Sequence, residues 1–258
     1  METEAKLLEE RAHEFLSRGE LDQAFSLFKE AAHIYKAKGQ HKQAALCFAA
    51  AAGCWSKKCG ERLFFNSALY YEEAARQSEV SRDLEYASLL YKYAAINYER
   101  DGEFVNFSDC FYRSRECYRK YLAYSFISPK KIHHIVRAEA ERGAGVKLRH
   151  IFFWLVLTFS YLVWGYGERP IRAFFFALAV IFLSAIFYLW GGLSKAGELF
   201  RPEFLEAFYF SAVTFTTVGY GDIVPIGLSK AVGILEAFCG IFIMPLFVVA
   251  LSRKYLRI

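Results

Sequence analysis

Polar and apolar positions divide this chain at about residue 150. Before that point apolar residues recur at helical spacing among charged ones, and after it they run together in three long stretches. The first part repeats itself. From Glu4, Ala24, Ala44, Ser67, Ala87 and Phe107 the pattern recurs every 20 residues, with one step of 23. Four positions after each start stands a bulky residue: Leu8, Phe28, Phe48, Tyr71, Tyr91 or Phe111. Eight after it stands alanine in five cases of six (Ala12, Ala32, Ala52, Ala75, Ala95), Arg115 being the exception. Eleven after it come Phe15, Tyr35, Trp55, Ser78, Tyr98 and Tyr118. These offsets share one helical face, so each unit is predicted as an amphipathic helix that alternates large and small core residues. Gly19, Gly39 and Gly102 stand where three of the helices should end, the place a left-handed cap favours. Six helices taken in pairs make about three hairpins of roughly 40 residues, a helical repeat over residues 1–122.

The second part reads as membrane. Its apolar stretches run from Ile151 to Tyr166 (16 residues), Ile171 to Trp190 (20) and Ala231 to Leu251 (21), the last helix being taken to residue 252. A helical span needs about 20 apolar residues at ~1.5 Å rise each. The second and third stretches qualify; the first is short. Residues 123–150 between the two parts are a basic linker.

Charge and cysteine content narrow the function. The net charge of +5 could suit nucleic acid, but much of it lies beside the apolar half, where basic residues act as orientation signals; no nucleic-acid partner is expected. Cysteines at 47, 54, 59, 110, 117 and 239 form no C-x-x-C pair and have no histidines at zinc spacing, so reduced, buried thiols are expected. Met1 opens a polar stretch with no apolar leader region, so the repeat part is expected in the cytoplasm. The sequence holds no nucleophile–base pair, phosphate loop or metal cluster, so an enzyme is not expected, nor a cofactor.

The run Thr216-Thr217-Val218-Gly219-Tyr220-Gly221-Asp222 carries the chemistry. A dehydrated K⁺ ion needs rings of oxygen ligands, and four T-V-G-Y-G strands supply them from backbone carbonyls. Gly219 and Gly221 permit the backbone angles that turn successive carbonyls to one axis. The run and its flanks resemble the two-transmembrane potassium channels over roughly residues 171–252. Pro202 would sit in the first turn of a pore helix, 202–216, and Glu203 would complement its positive end. The resemblance implies K⁺ ligation by the carbonyls of Thr217, Val218, Gly219 and Tyr220 in a filter over 217–221, plus the Thr217 hydroxyl. It also implies Tyr220 packed on Tyr209 and Phe210, Thr216 in support, and Asp222 at the outer mouth. Some relatives bond a pore-helix glutamate to that aspartate; Val213 stands there in this chain, so inactivation that depends on the carboxyl pair is not expected.

The A-x-x-x-[FY]-x-x-A pattern resembles tetratricopeptide repeats, and its longer period resembles their SNAP-type variant. Gly165-Tyr166-Gly167-Glu168-Arg169-Pro170 is similar to a linker in some prokaryotic potassium channel proteins fused to repeats. The fold expected is therefore all-α: an α-solenoid of TPR/SNAP-like hairpins plus a two-helix pore with a re-entrant pore helix and filter loop, residues 167–258. Because such a filter opens outward, the helix before it enters from the cytoplasm and the one after returns there. Arg169 and Arg172 on one side, and Arg253, Lys254 and Arg257 on the other, fit that orientation. A third span would put the repeats and the basic residues Lys130, Lys131, Arg137, Arg142, Lys147 and Arg149 outside. Residues 151–166, with Phe152, Trp154, Tyr161 and Trp164, therefore read as an aromatic helix on the inner leaflet, a third short span being the competing reading.

Gly240 lies near the family's gating hinge, and Pro245 removes a helix hydrogen bond; Gly240 serves either a hinge or close packing. Glu236, ionisable inside a span, is expected to bond behind the filter. Neither span carries arginine at every third position, so voltage sensing is not expected. The leading function is a homotetrameric K⁺ channel of the plasma or cell inner membrane, both termini cytoplasmic, passing K⁺ through a lipid bilayer. Its control would come through a protein or small-molecule ligand at the repeats, or through bound lipid. The alternative is a membrane-tethered repeat-domain adaptor in which the pore serves as an oligomerisation unit.

Overall fold

A computed structural model describes residues 2–58, 63–127 and 144–255. Much of the linker 123–150, with Lys130, Lys131, Arg137 and Arg142, lies outside the described residues, as do Cys59 and Arg257. The chain is mainly α-helical and divides into two compact units, Met1–Thr158 and Phe159–Ile258.

The first unit is a stack of helices: α1 Glu2–Ser17, α2 Leu21–Ala37, α3 His41–Ser56, α4 Leu63–Val80, α5 Leu84–Arg100 and α6 Phe104–Ile127. Each packs chiefly on the helix before and the helix after it, which is the construction of a solenoid. The core is the stripe read from the repeat: Phe28, Phe48 and Tyr91 alternate with Ala32, Ala52, Ala75 and Ala95, all buried. Small residues let neighbouring helices approach, and the rings fill the space between.

The helix ends repeat as faithfully as the core. The amides of Glu20, Gln40, Asp83 and Glu103 each donate to the carbonyl five residues back, on Phe15, Tyr35, Ser78 and Tyr98. This six-to-one bond needs a left-handed residue just before the donor. Gly19, Gly39 and Gly102 supply it, with φ from +71° to +81°. At the fourth turn Arg82 supplies it instead, at φ +63°.

The apolar stretch 151–166 belongs to a longer helix than its composition indicated. Helix α7 runs Ala144–Trp164, 21 residues, because Val146, Lys147, Leu148 and Arg149 continue it backwards. Shortness is therefore no argument about its role: by length and composition three helices here could cross a membrane. Its first half packs inside the repeat unit, however. Trp154 stacks edge-on against Phe126 at 5.4 Å, and Trp154 and Leu157 pack on Tyr121 and Leu122 of α6. His150 is buried, with its Nδ1 3.1 Å from the Ser125 hydroxyl.

The second unit holds α8 Pro170–Gly191, α9 Phe204–Phe215 and α10 Leu228–Tyr255, mutually packed. Three short strands join them: β1 Leu193–Lys195, β2 Glu198–Phe200 and β3 Ile223–Pro225, antiparallel in the order β2-β1-β3. Ala196 and Gly197, at φ +54° and +87°, make the tight turn between β1 and β2. The all-α expectation did not include this sheet. Each of its strands is three residues long, and it ties the segment after Asp222 to the end of α8.

Candidate ion pathway

Pro170 starts α8 at its first turn, where the missing N–H would have had no partner. The same logic does not hold at Pro202. Helix α9 has Glu203 as its N-cap, so Pro202 stands outside the helix rather than in its first turn. The Glu206 carboxylate accepts the Glu203 N–H at 3.1 Å and places a negative charge on the positive end. At the other end the Thr216 hydroxyl bonds the Ala212 carbonyl at 2.7 Å, and the amides of Val218 and Gly219 turn back to the carbonyl of Val213. Position 213 thus contributes its backbone, a role its side chain could not announce.

The run that follows has positive φ at alternate residues: Thr217 +57°, Gly219 +57° and Gly221 +77°. Two of these are glycines, for which the conformation is free; Thr217 adopts it with a β-branched side chain, at a cost. All seven residues from Thr216 to Asp222 are exposed in the single chain. The ring of Tyr220 is 70% exposed in the single chain. Tyr209 and Phe210 are successive helical residues about 100° apart, so they face different ways. Phe210 turns to the back and meets Tyr188 of α8 edge-on at 4.8 Å. Tyr209 turns to the mouth, where its hydroxyl donates to Asp222 at 3.0 Å. A tyrosine of α9 therefore stands against this aspartate.

Behind the run lies a three-helix polar knot. Glu236 of α10 is 2% exposed and accepts the Tyr188 hydroxyl at 2.7 Å. It also bonds the hydroxyl of Ser211 on α9, which lies 2.7 Å from the carbonyl of Ile181 as well. One carboxyl group thus joins both long helices to the short one. Ser211 and Tyr188 were not singled out in the sequence, since serine and tyrosine in apolar helices are ordinary and only the fold brings them to Glu236.

Gly240 sits where α10 crosses the end of α9. A Cβ there would overlap the carbonyl oxygen of Phe215, so glycine is required for the helices to meet. Pro245 lies inside α10, which continues through it to Tyr255. The segment Gly165–Gly167 forms a short 3-10 turn with Tyr166 buried at φ +60°. Arg172 sits over the Tyr161 ring at 4.5 Å and donates to the Tyr161 carbonyl at 3.0 Å. Arg253 of α10 reaches the same turn, its guanidinium beside Gly167. Arginines in the first turn of α8 and near the end of α10 therefore share one end of this unit.

A family model described as Ion channel matches residues 174–257, a stretch that takes in most of α8, all of α9, the run from Thr216 to Asp222 and α10. No solved structure matches the chain. With its three apolar helices this is a membrane protein, and its second unit is similar to ion channels.

Proposed function

We propose that the chain is a homotetrameric, potassium-selective channel whose repeat unit lies in the cytoplasm and modulates conduction. The observation that carries this reading is the exposed run Thr217–Gly221, issuing from a capped pore helix with left-handed backbone at every second residue. One such strand cannot surround an ion. Four around an axis can, with carbonyls of Thr217, Val218, Gly219 and Tyr220 as ligands. The negative end of α9, near Thr216, would point at the ion path and favour a cation there.

Helix α7 is read as an interfacial helix on the inner leaflet. Support comes from Trp154 and Leu157, which already pack on α6, and from Arg172 and Arg253 at one end of the pore unit. Control through the repeats follows from a chain in which the soluble helices precede the pore.

The test is ion flux into vesicles reconstituted with the whole protein. K⁺ should enter at least tenfold faster than Na⁺, and Gly221→Ala, placed at φ +77°, should abolish that preference. Tetramers without K⁺ selectivity would overturn the channel reading in favour of an adaptor whose pore only oligomerises.

A further inference from the structure

Around Glu236 the hydroxyl groups have fewer protons than the hydrogen bonds require. Ser211 Oγ lies 2.7 Å from the carbonyl oxygen of Ile181 and is also bonded to Oε1 of Glu236. A serine hydroxyl carries one proton, and a carbonyl oxygen carries none. A separation of 2.7 Å is the ordinary length of a two-centre O–H···O bond, so the Ser211 proton is committed to Ile181. The bond between Ser211 Oγ and Glu236 Oε1 then needs a proton of its own. Tyr188 does not supply it, because its hydroxyl lies on the other oxygen, Oε2, at 2.7 Å. The proton of Ser184, a third partner, belongs to that residue's own bond with the carboxyl group. Glu236 is left as the source.

The surroundings agree with a neutral group. Glu236 is 2% exposed, and Ser211 and Tyr188 are fully buried, so water does not solvate the carboxyl group. None of the residues bonded to it carries a positive charge. An ion in such a place, with no counter-ion among its partners, is held at a large cost in free energy, and a carboxyl group escapes that cost by keeping its proton.

We infer that Glu236 is a neutral carboxylic acid at pH 7 and is a positioning residue, donating from Oε1 to Ser211. The protons then run one way, from Glu236 to Ser211 and from Ser211 to the Ile181 carbonyl, while Tyr188 donates to Oε2. Ser211 is thereby tied to α8 and α10 at once. A carboxylate would claim the Ser211 proton and leave the Ile181 contact without one. Two residues further along α9, the Val213 carbonyl receives the amides of Val218 and Gly219, so the acid holds the helix end to which the run Thr217–Gly221 is bonded. This consequence for the pore rests on the channel reading; the protonation rests on the hydrogen bonds.

Infrared difference spectra provide the test, with the full chain in dodecyl maltoside, a detergent that has no carbonyl group, at pH 7. Wild type minus Glu236→Gln should show the C=O stretch of a carboxylic acid, moving to lower frequency in D2O. A carboxylate band in its place would overturn the proposal. Glutamine is neutral, and its amide can donate to Ser211 while its oxygen accepts from Tyr188. Glu236→Gln should therefore melt within about 3 °C of wild type, whereas Glu236→Ala, which leaves the hydroxyls without a partner, should melt at least about 5 °C lower. A glutamine variant that melts as low as the alanine variant, or that does not fold, would also overturn the proposal. Neither measurement reads ion flux, so failure here leaves the channel reading untouched.

Discussion

Glu236 illustrates how a single residue can be conspicuous in sequence and still be explained only by its neighbours. A carboxylate among apolar residues in a span is expensive unless bonded. Its hydroxyl partners, Ser211, Tyr188 and Ser184, come from two other helices. Removing one of them leaves the carboxyl group short of a partner, a loss on the order of 1–3 kcal/mol. Ser211→Ala should therefore lower the melting temperature of the assembly by several degrees and reduce single-channel conductance, as measured in nanodiscs and planar bilayers. Asp222 offers a second case. Its donor within the chain is the exposed Tyr209 hydroxyl, so Tyr209→Phe should change the rate of slow inactivation while K⁺/Na⁺ selectivity is kept. An unchanged inactivation rate would mean that this hydrogen bond does not hold the mouth. Gly240 resolves differently: it stands at the crossing with Phe215, where a side chain would collide. Sequence alone left hinge and packing equal, because a glycine in a helix looks the same in both.

At the scale of elements, the repeat helices were legible almost throughout. Their stripe residues are what any stack of amphipathic helices must bury, and the cap glycines mark the turns. The fourth turn was hidden since Arg82, not glycine, takes the left-handed conformation there. That strain costs about 1–2 kcal/mol, partly offset by the extra freedom glycine gives the unfolded chain. Arg82→Gly should therefore stabilise the repeat unit by somewhat under about 1 kcal/mol, seen as a higher denaturation midpoint; a lower one would mean that the arginine makes a compensating contact. Helix α7 was read too short, as apolar residues alone were counted and the polar first turns from Ala144 were not. The three-stranded sheet was not read at all. Strands of three residues carry no periodicity, and their pairing depends on Pro225 and Leu193 being brought together by the two long helices.

For the whole molecule, the buried thiols report on the integrity of the repeat unit. Burial, with Glu9 adding to it, pushes Cys47 up to about 12; burial and Glu79 do the same for Cys117. Cys54 and Cys110 are also raised by burial. Each unit of increase lowers the reactive thiolate tenfold at a fixed pH below both values. At pH 8 maleimide labelling of Cys47 in the native protein should be roughly 1000-fold slower than in denaturant, as followed by mass spectrometry, and should accelerate as the pH rises toward 12. Fast native labelling would show that the helix stack opens around α3.

Sequence by itself determined the two-part division, the spacing of the helical repeat, the glycine-spaced run Thr216–Asp222 and the suspicion attached to Glu236. All of these rest on local spacing or on residue types that only one environment tolerates. Tertiary structure decided which way each side chain faces. It separated Tyr209 from Phe210, gave Glu236 its hydroxyl partners from other helices and set Gly240 against Phe215. Those outcomes depend on where helices far apart in the chain cross, and periodicity within one helix carries no information about that.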